Sequence, residues 1–316
     1  MNAPLELPGK AWPLACLAAA LLAQPLVQAA DGVDGVTAVF SKVSNDYARA
    51  KLPDGTFKPE FYSFGEGGRW AGDINDITID RLNFIDVARV IAAPLAAQKF
   101  VPSTEARETR LLIMVYWGTT AVPGPASDSV AISQFQLAQD NLNKYMVNSA
   151  IDPRVKIVSG GKAADAAMDQ MSAATSMLNM ENNIRDRTDY ANARMLGYDS
   201  PGLIGTEKGG YVRGTAFGVD RDDLYAEIRE NRYFVVLMAY DFQLMWKQKK
   251  HKLLWETRFS INQRRNQFDK ALPVMAQYAS QYFGTDSHGL LRTRVPEGRI
   301  EIGEPRSLGE VEPPSK

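Results

Sequence analysis

The sequence predicts an α/β (or α+β) fold: a mixed sheet with a parallel β-α-β part and a C-terminal antiparallel hairpin, with helices on its faces. Three observations carry this expectation. Residues 234–246 place a large apolar side chain at every even position, from Phe234, Val236, Met238 and Tyr240 to Phe242, Leu244 and Trp246. Leu253, Trp255, Thr257, Phe259 and Ile261 repeat the period of two, which a strand requires because successive side chains point to opposite sheet faces. The period then changes to three and four in Phe268, Ala271, Leu272, Met275, Ala279, Tyr282 and Phe283. That is the stripe of an amphipathic helix, here packed back over the hairpin because neither element buries its apolar side alone.

Between the two strands lies Lys-Gln-Lys-Lys-His-Lys at 247–252, read as a solvated hairpin tip longer than a two-residue turn. A short helical turn over 243–250 is the competing reading. Pro273 should kink the last helix or delay its start. Gly284 suits the left-handed position past a helix end.

From the start of the chain, Val36, Val39, Phe40, Val43 and Tyr47 imply a first helix within 32–47, and Leu52-Pro53-Asp54-Gly55 a turn. Residues 57–73, dense in aromatics and glycines, read as irregular strand and loop. Ile85, Ala88, Ile91, Ala92 and Leu95 mark a helix over 83–97 that Pro94 disturbs. The apolar run over 111–117, bounded by Arg110 and Gly118, is a strand buried on both faces. Ser127 or Asp128 caps a helix bearing Ala131, Phe135, Ala138, Leu142, Tyr145 and Met146, and 155–158 is a short strand. This strand-helix-strand order implies a parallel pair with a right-handed crossover.

Residues 163–195 lack Pro and Gly and form a long helix or two, with Met168, Met171, Ala174 and Leu178 in one stripe. Core packing explains that stripe better than a copper-binding methionine box. Residues 197–218 are loop, and Asp220 caps a helix with Leu224 and Ile228. An edge strand is expected over 298–303 and an extended tail over 304–316.

Lys and Arg number 36 against 37 Asp and Glu, a net charge of −1, so bulk electrostatics gives no case for nucleic acid or an anionic membrane. At the N-terminus, Lys10 precedes an uncharged apolar run over 14–23, then Gln24-Pro25-Leu26-Val27-Gln28-Ala29-Ala30. This is the layout of a secretory signal peptide cut between Ala29 and Ala30. Two prolines and two glutamines interrupt it too often for a retained anchor, and Pro13 before Leu14-Ala15-Cys16 does not make a lipobox. The expected organisation is a signal peptide over 1–29, an N-terminal segment over 31–105, a core domain over 106–284 and a tail over 285–316. Cys16 is the only cysteine, so the mature chain should hold no disulfide, thiol nucleophile or cysteine-ligated metal. The expected location is the periplasm or the medium, with membrane contact only through the signal peptide.

The order of elements from 110 to 284, with a second hairpin strand entered through Leu253-Leu254-Trp255, resembles the periplasmic α/β domains of the curli-secretion lipoprotein and penicillin-binding-protein-activator group. In that group the corresponding strand often reads Ile-Leu-Trp after a turn. The present chain carries Lys-Lys-His-Lys where that turn has Thr-Gly, and lacks the lipobox. The resemblance implies a mixed sheet and a protein that binds partners rather than reacting with substrates.

With His251 and His288 alone, multi-histidine metal sites are excluded, and no cofactor is implied. Gly-x-Ser-x-Gly and the phosphate loop are both absent. Ser159-Gly160-Gly161-Lys162 matches Ser-x-x-Lys without its partner motifs. Asp73-x-Asn75 lacks the glycine and distal Glu of a calcium loop. Two hypotheses follow. The first is an exported, bacterial-type, non-catalytic protein that binds an envelope macromolecule or small ligand through Arg69, Trp70, Tyr116, Trp117, Thr119 and Thr120, where aromatics stand beside glycine-rich backbone. The second is a glycan-directed hydrolase using Glu66 and Asp73, whose carboxyls would have to stand about 5–9.5 Å apart in a cleft. Asp76 and Asp80 belong to the same acidic cluster near Trp70 and are read as caps of the following helix.

Overall fold

The computed structural model describes residues 33, 35–122, 124, 126–151, 162–198 and 221–294. In chain order the elements are β1 (Val36–Val43), β2 (Glu60–Trp70), α1 (Ile77–Asp80), α2 (Phe84–Ala97), β3 (Phe100–Pro102), β4 (Leu111–Thr119), α3 (Val130–Ile151) and α4 (Lys162–Leu196). There follow α5 (Arg221–Ile228), β5 (Arg232–Asp241), α6 (Phe242–Gln248), β6 (Leu253–Asn262), α7 (Phe268–Ser280) and β7 (Leu291–Arg294). The strands form one seven-stranded mixed sheet in the order β3-β2-β4-β5-β6-β1-β7. β2 runs parallel to β3 and β4, and the remaining pairs are antiparallel. Strands from 36–102 and from 111–294 share this sheet, so no break in it falls near residue 105. Among the described residues no helix is long and apolar enough to cross a membrane, and none of those residues is a cysteine.

The two faces of the sheet hold separate cores. On one, Tyr233, Val235 and Leu237 of β5, Trp255, Phe259 and Ile261 of β6, and Ile113, Val115 and Trp117 of β4 pack against α2 and α7. On the other, Phe234 and Val236 of β5 and Phe40 of β1 pack against Leu196 at the end of α4 and against Leu224 and Ile228 of α5. β4 and β5 are thus central strands apolar on both faces, which is why their sequences read as near-continuous hydrophobic runs. α7 covers the odd-numbered residues of β5, and α4 and α5 take the even-numbered ones.

Three sequence expectations are corrected. Residues 36–43 form strand β1 and not a helix. Val39 pairs with Phe259 and lies in the first core, while Ala38 and Phe40 lie in the second. Docking between β6 and β7 overrides the three- and four-residue spacing of its apolar side chains. The strand expected over 234–246 ends at Asp241, whose carboxylate accepts from Leu244 N at 2.9 Å and starts α6. Phe242 and Trp246, one helical turn apart, stack at 6.2 Å, and Lys249 closes the turn in the left-handed region at φ 56°. The short helical reading of the hairpin tip therefore holds. Finally, the described parallel partner of β4 is β2, from the Gly- and aromatic-rich stretch. Of the extended tail expected over 285–316, Leu291–Arg294 form β7 against β1, and the part past residue 294, the signal peptide, the strands expected at 155–158 and 298–303 and the Asp220 cap lie outside the described residues.

Other expectations hold in detail. Asn83 caps α2 in a reciprocal capping box with Asp86, at 3.1 and 3.2 Å. Gly284 follows α7 at φ 70°. Pro94 and Pro273, by contrast, lie within the continuous helices α2 and α7, and Pro273 does not delay the start of α7, which begins at Phe268.

Two polar networks lock helices to the sheet. Asp76, the cap of α1, accepts from Thr78 N at 2.8 Å, Thr78 Oγ1 at 2.7 Å, Gln263 Nε2 at 3.2 Å and the Tyr233 hydroxyl. Burial acts to raise the Asp76 carboxyl, but hydrogen bonds from Tyr233, Thr78 and Gln263 outweigh it and hold the group below the ordinary carboxylate range. Burial and the Asp76 bond push the Tyr233 hydroxyl up to about 12. On the other face, Arg232 is 1% exposed. It donates to Val36 O at 3.1 Å and Ser260 Oγ at 3.2 Å, and its Nη1 lies 3.7 Å from Glu227 Oε2. Glu227 also accepts from Tyr198 and Arg292.

Both networks yield expected outcomes. Asp76→Ala lowers the unfolding free energy at pH 7 by about 1–3 kcal/mol. A depressed native pKa contributes stability above the unfolded value near ~3.9 and loses it as pH falls through the native value. The gap between wild type and variant in urea titrations therefore closes below about pH 4. Glu227→Ala leaves the buried Arg232 with only the more distant, exposed Glu230, at 4.0 Å, as countercharge and costs about 3–5 kcal/mol in the same assay, and Glu227→Gln costs less.

Candidate functional site

The C-terminal ends of β2 and β4 meet the last turns of α4 at an apolar groove of about 300 Å³. Trp70, Ala71, Thr119 and Ala121 form one wall, and Ile184, Ala191 and Met195 of α4 stand in the other.

A β-bulge puts Trp70 there. Along β2, Tyr62, Phe64 and Glu66 pair with Leu111, Ile113 and Val115, on the sheet face covered by α2 and α7. An unbroken period of two would aim Trp70 at that same face. The register instead shifts between Glu66 and Gly68, so Trp70 pairs with Gly118 and faces α4. Gly68 makes the bulge possible at φ 116°, a backbone region in which side chains are strained. Gly118 is needed for closeness, since a Cβ there would run into the Trp70 carbonyl.

α4 is held opposite by its own polar contacts. Asn192, buried, donates to Ala121 O at 2.7 Å and Ile228 O at 3.1 Å, tying α4 to the chain leaving β4 and to α5. Arg258 of β6 donates to the carbonyls of Arg194 and Met195 at 2.8 and 3.2 Å, a cation at the helix C-terminus where the dipole favours one.

The residues expected to bind are thereby separated. Trp70 is 54% exposed and overhangs the groove. Thr119 reaches its lining, though its hydroxyl is engaged by Gly72 N at 2.9 Å. Trp117 is 2% exposed, packs beside the Phe84 ring at 6.4 Å, and is corrected from candidate ligand residue to core residue. Its odd position in a two-sided strand points it at α2. Thr120 is also buried. Its hydroxyl accepts from Arg232 N at 2.9 Å and donates to Glu230 O at 3.1 Å, so it anchors β5. Tyr116 lies half-buried against the second core. Arg69, on the opposite face from Trp70, is paired with Asp80.

The two carboxylates of the hydrolase reading have unrelated surroundings. Glu66 projects from β2 on the face of Val115. Asp73 lies past the strand end and accepts from Val122 N at 3.1 Å, fixing the loop that leaves β4. No described pocket contains both. Among the described residues no group of three His, Cys, Asp or Glu side chains is placed to hold a metal ion.

Sequence reasoning missed the α4 wall. Its signal was present as Met177, Met180, Ile184 and Ala191, spaced at three, four and seven residues, but the stripe expected in the core was that of Met168, Met171, Ala174 and Leu178, of which Ala174 is buried and Met168 is exposed.

The two tryptophans should separate in stability. Trp117→Ala costs about 3–5 kcal/mol, whereas Trp70→Ala costs a fraction of that in the same urea titration. Equal losses would make Trp70 a core residue.

The chain matches no protein-family model, and no curated protein matches it in sequence.

Proposed function

We propose that this is an exported, bacterial-type protein that acts without catalysis, binding an apolar element of an envelope macromolecule in the groove between Trp70 and α4. The observation that carries the reading is Trp70 itself: a large aromatic side chain left 54% exposed by a bulge that turns it out of the core and over an apolar wall. Exposed apolar surface of this kind marks interaction sites in soluble proteins.

A macromolecule suits the groove better than a small ligand does. Ile184 and Arg187 belong both to the groove and to a second concavity with Met180 further up α4, so the apolar surface continues along the helix. The resemblance to the curli-secretion and penicillin-binding-protein-activator group points the same way, since that group binds partners. Nothing comparable supports the glycan-directed hydrolase, because Glu66 and Asp73 have separate surroundings.

Two measurements test the reading. N-terminal sequencing of the exported protein is expected to begin at Ala30, and a Met1 start overturns export by this route. Capture from envelope extract is expected to yield species bound by wild type and lost with Trp70→Ala. The same species bound by both proteins would overturn the groove as the binding site.

A further inference from the structure

The α4 helix is apolar on two sides. One side turns Ala167 and Ala174 inward, beside an α3 that reaches it through Asn141 and Ser129, bonded to Gln170 and Glu181. The other side carries Ala166, Ala173, Met177, Met180, Ile184 and Ala191, all exposed. Met177, Met180 and Ile184 are 48%, 67% and 52% exposed. At 100° per residue these six fall within a band of roughly 60°, a stripe as narrow as a helix-pairing seam. It has no intramolecular cover among the described residues, and its C-terminal end runs into the groove beneath Trp70.

We infer that this stripe pairs antiparallel with α4 of a second copy of the chain, about a two-fold axis between Leu178 and Asn179. The inference rests on the groove being a binding surface and names its occupant. The spacing of the stripe is symmetric about that point. Met177 meets the partner's Met180, Ala173 meets the partner's Ile184, and Ala166 meets the partner's Ala191. Two methionines thus meet at the middle, a small side chain faces a large one on either side of them, and two alanines meet where Trp70 overhangs the groove. Such self-complementarity is what an isologous interface requires.

Charge selects this arrangement over a parallel one. Asp169 and Arg187 are exposed, lie on the same edge of the stripe, and have no ion-pair partner among the described residues. In an antiparallel pair equal edges meet, so Asp169 falls within one residue of the partner's Arg187, twice by symmetry. A parallel pair in register would bring opposite edges together, setting Asp169 beside the partner's Gln170 and Arg187 beside the partner's Thr188, and would leave both charges without a countercharge. On the opposite edge Gln170 meets the partner's Thr188, both uncharged. The overlap runs over roughly 50 Å of helix axis.

The test is the mass of the full mature chain by sedimentation equilibrium and light scattering. Wild type is expected at twice the chain mass at micromolar concentration. Met180→Glu and Ile184→Glu are expected at the single-chain mass with unchanged helix content by circular dichroism. Arg187→Asp should weaken association about tenfold, and Asp169→Arg added to it should restore the wild-type value. Met177→Cys with Met180→Cys, in the otherwise cysteine-free mature chain, should give a covalent dimer on oxidation. A single-chain mass for wild type across this range overturns the inference, and so does a dimer indifferent to Met180→Glu. If that single-chain protein still captures an envelope species in a Trp70-dependent way, the groove reading survives and its occupant is another protein. If capture is also indifferent to Trp70, both readings fall.

Discussion

A buried positive charge at the first residue of β5 sets much of what surrounds it. A guanidinium as enclosed as that of Arg232 is tolerable only where its charge and its donors are met. The chain meets them from four directions: Val36 O from β1, Ser260 from β6, Glu227 from α5, and Glu230 just before the strand. Glu227 in turn accepts from Arg292 of β7 and from Tyr198 beyond α4. Satisfying one charge therefore fixes α5 against the sheet. Because Asn192 bonds both Ile228 O and Ala121 O, it also fixes where α4 leaves the sheet. The groove wall is a consequence of that chain of contacts.

The opposite wall follows from a different constraint, the period of two in a strand. Up to Glu66, β2 contributes to the α2 and α7 face in the usual alternation, and the extra residue at the bulge inverts the alternation for the rest of the strand. Arg69 is thereby sent to Asp80 on one face and Trp70 to α4 on the other. A bulge is a local device for re-aiming a side chain. Here it converts what would have been a core tryptophan into a surface one by leaving Gly67 unpaired, after which the pairing of β2 with β4 resumes at Gly68.

The mixed sheet, its central strands and α7 were legible in the sequence because long apolar periods report burial directly. Two features of the fold were not. β1 spaces its apolar residues like a helix and becomes a strand only because an open sheet edge lies next to β6. At 242–248 the alternation of Phe242, Leu244 and Trp246 fits a strand, yet the same residues satisfy a helix turn once Asp241 caps it. The candidate site was legible in half. Gly-rich sequence around Trp70 pointed at the right strand end, but the position of Trp117, next to the half-buried Tyr116 and on the opposite face from Trp70, depends on the parity of β4, which local sequence does not announce. The α4 wall needed knowledge of which of two methionine-bearing stripes meets α3.

That ambiguity is itself informative about α4. A helix packed by one face against its neighbours gains nothing from methionine and isoleucine on the other, and surface positions of that kind ordinarily carry charge. Both faces of the sheet are already covered, one by α2 and α7 and the other by α5 with the last turns of α4. Within one molecule, then, the described elements leave no apolar surface for the second stripe to meet. Its large side chains cluster about its middle, alanines flank them toward both ends, and the unpaired acid and base sit on one common edge at similar distances from the centre. A stripe shaped only by tolerance would have no reason to be balanced about a point. Balance about a point is the property that a surface acquires when it is matched to itself.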